Sequence, residues 1–177
     1  VGYMIPGANG RYENGEERLV TTPWYDHEIR MRAAAEEGTR KVIREHSTIG
    51  IVVTTDGSVT ELAREDYAAA EARIVAELQD IGKPFLILLN TADPTGEAAQ
   101  TLAAQLREQY DAACLPVNCL ELTEQDILEI LRSVLYEFPV TEACFRMPEW
   151  MDVLPPENET KQQLYALLRE QVPSLHR

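Results

Sequence analysis

The sequence holds 177 residues, 45% of them hydrophobic and 26% charged, with a formal net charge of −14. That length suits one domain with a real core and a small appendage. The acidic balance argues against non-specific nucleic-acid binding and against adhesion to anionic lipid by charge alone.

Residues 1–28 are rich in glycine, proline and asparagine and read as a long loop, with Leu19-Val20-Thr21-Thr22 as a short edge strand. A loop of that length in a compact domain is expected to be functional or disordered. Trp24 and Tyr25 invite two readings, packing on the first helix or contact with another subunit. Asp26 reads as an N-cap. The helix is predicted over 28–46, where Met31, Ala34, Ala35, Gly38, Val42 and Ile43 recur at helical spacing. Gly38 costs such a helix about 1 kcal/mol against Ala, which predicts a close approach to a strand. The first full strand covers 48–54, followed by a turn at Thr55-Asp56-Gly57-Ser58. A second helix runs over 64–80, with Tyr67, Ala70, Ile74, Leu78 and Ile81 on its inner face and Gly82 at its end.

Next comes Phe85-Leu86-Ile87-Leu88-Leu89, an unbroken apolar run that stops at the polar turn Asn90-Thr91-Ala92-Asp93. A short run without alternation is the mark of a strand buried on both faces, as in a parallel sheet. Asp93-Pro94 reads as the N-cap and first position of a helix over about 95–109. A third strand lies at 113–117. A fourth helix opens at Thr123-Glu124-Gln125-Asp126 and carries Ile127, Ile130, Leu131, Val134 and Leu135. Strand then helix, three times over, predicts an α/β fold: a mostly parallel sheet with flanking helices and right-handed crossovers. Residues 140–177 read as a proline-stiffened linker, with an amphipathic helix over 157–171 that starts a following domain.

In open α/β sheets, ligands bind beyond the carboxyl ends of the strands. Three spots fit that geometry: Gly2 before the glycine-bearing loop, Asn90 to Asp93 after the middle strand, and Asn118-Cys119-Leu120 after the last. Each also has a plain structural reading. Asn90 and Asp93 suit a turn and a helix cap, Gly2 suits a terminal glycine, and Cys119 suits a small loop-filling residue rather than a nucleophile. Asp56-Gly57 reads most simply as a turn. No G-x-x-x-x-G-K-[ST] occurs, and Gly82-Lys83-Pro84 is a decoy for one. The three cysteines are odd in number and lack zinc spacing, as expected of free thiols in a reducing compartment. No apolar run reaches transmembrane length and no signal peptide is visible. Val1 in place of an initiator Met reads as a position inside a longer protein.

The layout resembles the later half of a P-loop nucleotide hydrolase of the GTPase class. There a D-x-x-G motif opens a mobile switch loop, an N-K-x-D motif reads the base, and a further loop covers it. Val1-Gly2 would be the end of the first, Asn90-Thr91-Ala92-Asp93 the second, and Asn118-Cys119 the third. Thr91 stands where that family has Lys, which removes the stem that lies along guanine and makes ATP possible. The longer strings Gly2-Tyr3-Met4-Ile5-Pro6-Gly7-Ala8-Asn9-Gly10, Glu45-His46-Ser47-Thr48-Ile49-Gly50 and Val134-Leu135-Tyr136-Glu137-Phe138-Pro139 are similar to the stage IV sporulation protein A family.

The resemblance implies that residues 1–139 are the C-terminal part of an ATPase domain, with 1–28 as a switch-like loop. It implies Gly2 as a catalytic-loop residue and Asn90, Asp93, Asn118 and Cys119 as nucleotide contacts. The substrate would be ATP with Mg²⁺, the phosphate and metal ligands lying upstream and none here. The implied function is ATP-driven assembly of a spore-coat platform, in the mother-cell cytoplasm, on the outer forespore membrane. The implied partners are further copies of the chain, a small membrane-bound amphipathic peptide and other coat proteins. A structural self-assembly module, or a GTP-binding switch with little hydrolysis, is the alternative. In the GTPase-like strand order, the edge of the strand at 48–54 should lie open.

Overall fold

The computed structural model describes residues 2–10, 12–13 and 15–172. Val1, Arg11, Asn14 and 173–177, and with them the reading of Val1 as the end of a motif, lie outside the described residues. The chain divides into two compact units, Val1–Glu137 and Phe138–Arg177.

The first unit is organised by a parallel sheet of order β5-β6-β7, formed by Gly50–Thr55, Phe85–Asn90 and Cys114–Val117. In the middle strand β6, Phe85 to Leu89 are all buried, and Leu86, Ile87 and Leu89 are fully so. A strand covered on both faces has no place for a polar side chain, which is why its sequence does not alternate. The crossovers are helices α2 (Arg64–Asp80) and α3 (Glu97–Tyr110). The core joins Val75 and Leu78 of α2 and Ala103, Leu106 and Tyr110 of α3 to Val52, Ile87, Leu89 and Cys114 of the sheet. Pro116 sits on the outer strand β7, where proline is tolerated because its missing N–H can face away from the ladder.

Before the sheet, the chain forms two hairpins; the predicted edge strand at 19–22 is present, whereas the rest of the hairpin residues lie where the sequence predicts loop or helix. Tyr12–Glu13 (β1) pairs with Glu16–Glu17 (β2), and Leu19–Thr22 (β3) pairs antiparallel with Tyr25–Arg30 (β4). Strand β4 takes the residues predicted to open the first helix, so α1 starts at Met31 and ends at Lys41. A π-helical turn, Val42–His46, follows. Asp26 therefore lies in a strand and caps nothing. The tight neighbour of Gly38 is not a strand but the indole of Trp24: a Cβ at 38 would stand 3.0 Å from it. Trp24 comes from the β3–β4 turn, and a hairpin that folds back onto α1 was hidden from helical periodicity. Lys83, the decoy lysine, donates through Nζ to the carbonyls of Ile43 and Ser47. It thus caps the π-helical turn that ends the α1 segment, a helix C-terminus where cations are favoured.

The predicted inner face of α2 is rotated. Glu71, Val75 and Leu78 are its buried residues, whereas Tyr67 and Ala70 are half-buried. Glu71 tolerates burial because Arg64 Nη2 donates to its Oε1 at 2.8 Å and Tyr110 Oη at 3.0 Å. Burial and Glu71 together push the Tyr110 hydroxyl up to about 12. Helix α2 ends at Gly82, whose φ of +62° is left-handed. Helix α3 starts at Glu97, later than Asp93-Pro94 suggested, with Gly96 as its N-cap. Helix α4 (Glu124–Tyr136) opens at Thr123 as expected, and there the structure closes a capping box: Thr123 Oγ1 accepts from Asp126 N, and Asp126 Oδ2 accepts from Thr123 N at 2.8 Å.

The sheet is covered unevenly. Strand β5 pairs with β6 alone among the described residues, as expected of an open edge. Ile51 and Val53 are exposed. In α4 only Ile130 and Val134 of the predicted stripe are buried, and Leu135 is 70% exposed. In the second unit, Glu149–Asp152 (α5) and Glu159–Gln171 (α6) are helical, and Asn158 Oδ1 caps α6 by accepting from Thr160 N at 3.0 Å.

Glu71→Ala should lower stability by about 3 kcal/mol in urea unfolding, because it strands the Arg64 guanidinium in a half-buried site. Tyr110→Phe, which removes one neutral donor to the same carboxylate, should cost about 1 kcal/mol.

Candidate functional site

The ladder fixes where the loops emerge. Thr55 is in register with Asn90, and Asn90 with Val117. All three strands run the same way, so their following loops leave the sheet at one level and on one rim. Thr91 N donates to Val117 O at 2.9 Å and carries the ladder one step past β6.

Four of the five predicted site residues are gathered on that rim. Asn90 Oδ1 accepts from Cys119 N at 3.0 Å, tying the loop after β6 to the loop after β7. Cys119 takes part through its backbone, and its free thiol is half-buried. Asn118 shapes its own turn: Oδ1 accepts from Leu120 N at 3.1 Å, and Nδ2 donates to Glu121 Oε2 at 3.1 Å. Asp93 is exposed. Its Oδ1 accepts from Thr95 N at 3.2 Å and from Thr95 Oγ1 at 3.0 Å. Its Oδ2 has no hydrogen-bond partner among the described residues. Gly2 is placed differently. Its carbonyl accepts from Thr39 Oγ1 of α1 at 3.1 Å, and it borders a groove of about 370 Å³ along the free edge of β5. No hydrogen bond links it to the other four among the described residues.

The turn after β5, which the sequence reads most simply as a turn, belongs to the same rim. Thr91 is 1% exposed and points inward. Its Oγ1 donates to Asp56 Oδ2 at 2.6 Å and accepts from Asp93 N at 3.3 Å. Asp56 Oδ1 accepts from Ser58 N at 2.9 Å and from Ser58 Oγ at 2.6 Å. Ser58 Oγ in turn accepts from Ala92 N at 2.9 Å. So the 56–58 turn holds the 91–93 turn by two side-chain links. Burial works to raise the Asp56 carboxyl, but hydrogen bonds from Ser58 and Thr91 outweigh it and hold it below the usual carboxylate range. The residue types that could have flagged this, Asp, Ser and Thr at strand ends, are also the commonest turn formers.

The rim can present one open carboxylate oxygen and a set of fixed backbone turns to a ligand. It does not build a metal site: among the described residues no group of three His, Cys, Asp or Glu could hold a metal ion. The described residues of the rim therefore offer no ready set of protein ligands for Mg²⁺. No helix among the described residues is long and apolar enough to cross a membrane.

Comparison with known proteins gives the family. Residues 1–139 match the model described as stage IV sporulation protein A, ATPase domain. Stage IV sporulation protein A of Clostridioides difficile (strain 630) is 43% identical over 172 residues, 97% of this chain and 35% of the relative. The proteins of the same name from Bacillus subtilis (strain 168) and Bacillus anthracis are 41% and 42% identical over 177 residues, 100% of this chain and 36% of each relative. The chain belongs to the stage IV sporulation protein A family, and it spans about a third of the length of these relatives. No solved structure matched it.

Thr91→Val keeps the volume but removes the hydroxyl that donates to Asp56. The Asp56 carboxyl should then titrate closer to its ordinary value in a carbon-13 NMR titration. A depressed folded-state value stabilises above the unfolded pKa, and that stability is lost as pH falls through the folded one. The variant should therefore lose about 1 kcal/mol at pH 7, with the deficit shrinking in acid.

Proposed function

We propose that this chain supplies the purine-binding side of an ATP-binding and ATP-hydrolysing domain of the P-loop type, within a longer coat-assembly protein of sporulation. The observation that carries the reading is the Asn90 to Cys119 link across the carboxyl rim of a parallel sheet. It holds the N-x-x-D turn and the loop after β7 as one unit, which is what gripping a planar base requires. Asn90 positions the two loops, Asp93 accepts from the base, and Asn118 shapes the turn that covers it. Thr91 points into the protein, so nothing at position 91 lies along the base as a lysine stem would, and ATP is the favoured nucleotide. Gly2 and the segment after it are assigned to the nucleotide-responsive loop of the same domain.

Phosphate and Mg²⁺ are assigned to parts of the longer protein, and the free edge of β5 is where the rest of the sheet would join. Loss of about five hydrogen bonds to charged phosphate oxygens, at roughly 1.5–3 kcal/mol each, would remove about 7–15 kcal/mol. Micromolar affinity is only about 8 kcal/mol in total. The full-length protein would use ATP to assemble with copies of itself on the outer forespore membrane, facing the mother-cell cytoplasm. It would meet a small membrane-bound amphipathic peptide and other coat proteins through regions outside these residues.

The 177-residue chain alone should show no measurable ATP hydrolysis in a phosphate-release assay, and a steady rate from it would overturn the division of labour. In the full-length protein, Asp93→Ala should weaken ATP binding about tenfold and slow ATP-dependent polymerisation. Polymerisation unchanged in that variant would favour a structural module to which base reading is dispensable.

A further inference from the structure

The carboxylate of Asp93 is not symmetric. A carboxylate offers two oxygens with about two acceptor positions on each. Oδ1 has both positions taken, by Thr95 N at 3.2 Å and by Thr95 Oγ1 at 3.0 Å. Oδ2 is left clear, and the chain keeps it clear. A Cβ at Gly96 would stand 2.7 Å from it and 3.1 Å from the carboxyl carbon, so any side chain there would push the carboxylate aside. The turn therefore presents a single-pronged acceptor.

The purines differ in what they offer such a group. Guanine presents two parallel donors on its pairing edge, the ring N1–H and the exocyclic N2 amine. Two parallel donors match a two-oxygen fork. Adenine presents one donor, the exocyclic N6 amine, beside a ring nitrogen that accepts. A carboxylate with one free oxygen satisfies adenine and leaves one guanine donor without a partner. An unsatisfied donor in a closed site costs more than the bond itself would contribute. We propose that Thr95 is a specificity-determining residue: its hydroxyl fills the last acceptor position on Asp93 Oδ1 and so turns the site toward adenine and against guanine.

The proposal rests on the reading of Asp93 as a base contact, and the experiment separates the two. In the full-length protein, dissociation constants for ATP and GTP are measured by competition for wild type, Thr95→Val, Thr95→Ala, Thr95→Ser and Asp93→Ala. Thr95 is exposed, so its variants leave the core alone, and each keeps the backbone donor. Thr95→Val and Thr95→Ala should shift the ATP-to-GTP preference toward GTP about tenfold, the equivalent of one hydrogen bond of roughly 1.5 kcal/mol. Thr95→Ser retains the hydroxyl and should keep the wild-type ratio. A ratio unmoved by Val and Ala while Asp93→Ala still abolishes the preference would overturn the role of Thr95 alone. Both affinities unmoved by Asp93→Ala would overturn base reading and the proposal with it.

Discussion

The first unit depends on one constraint: β6 is buried on both faces and must pair on both edges. An apolar strand with five consecutive buried side chains can satisfy its backbone only inside a sheet. The ladders to β5 and β7 do that, in parallel. Parallel pairing then demands crossovers, and α2 and α3 are those crossovers. The core follows, since the apolar sides of these helices have only the sheet to cover. The rim follows too, because parallel strands in register end together.

What happens at the rim is decided by short polar side chains rather than by apolar packing. Asn90 reaches the loop after β7, while Thr91, one residue on, reaches the turn after β5. Alternation at the end of a strand sends successive side chains to opposite sides. Adjacent residues therefore brace neighbours on either side of β6. Asp93 lies beyond the ladder and is free to face outward. The same arithmetic explains why position 91 carries a small hydroxyl: its side chain is enclosed and donates to a carboxylate within hydrogen-bond reach.

Elsewhere the unit is conspicuously open. Ile51 and Val53 on β5 and the outer half of the α4 stripe keep their apolar character without being covered by described residues. Amphipathic helices and half-buried strands normally bury such faces. Helix α4 shows that the pattern in a sequence records which residues are apolar, while the extent of burial depends on how much protein lies opposite.

The sequence alone determined the strand–helix alternation, the parallel sheet, the start of α4 at Thr123, the end of α2 at Gly82 and the placing of Asn90, Asp93, Asn118 and Cys119 beyond the carboxyl ends of their strands. These rest on local signals: an unbroken apolar run, turn chemistry and the rule that ligands meet strand ends. Tertiary structure decided the rest. It made residues 19–30 a hairpin, because Trp24 finds Gly38 only when the chain folds back. It rotated α2 to bury Glu71, because the hydroxyl of Tyr110, far along the chain, is there to donate. It also joined Asp56 to Thr91 and showed Asp93 with one oxygen spoken for. Each of these depends on a partner distant in sequence or on a side-chain angle, and neither is encoded in the period of hydrophobic residues.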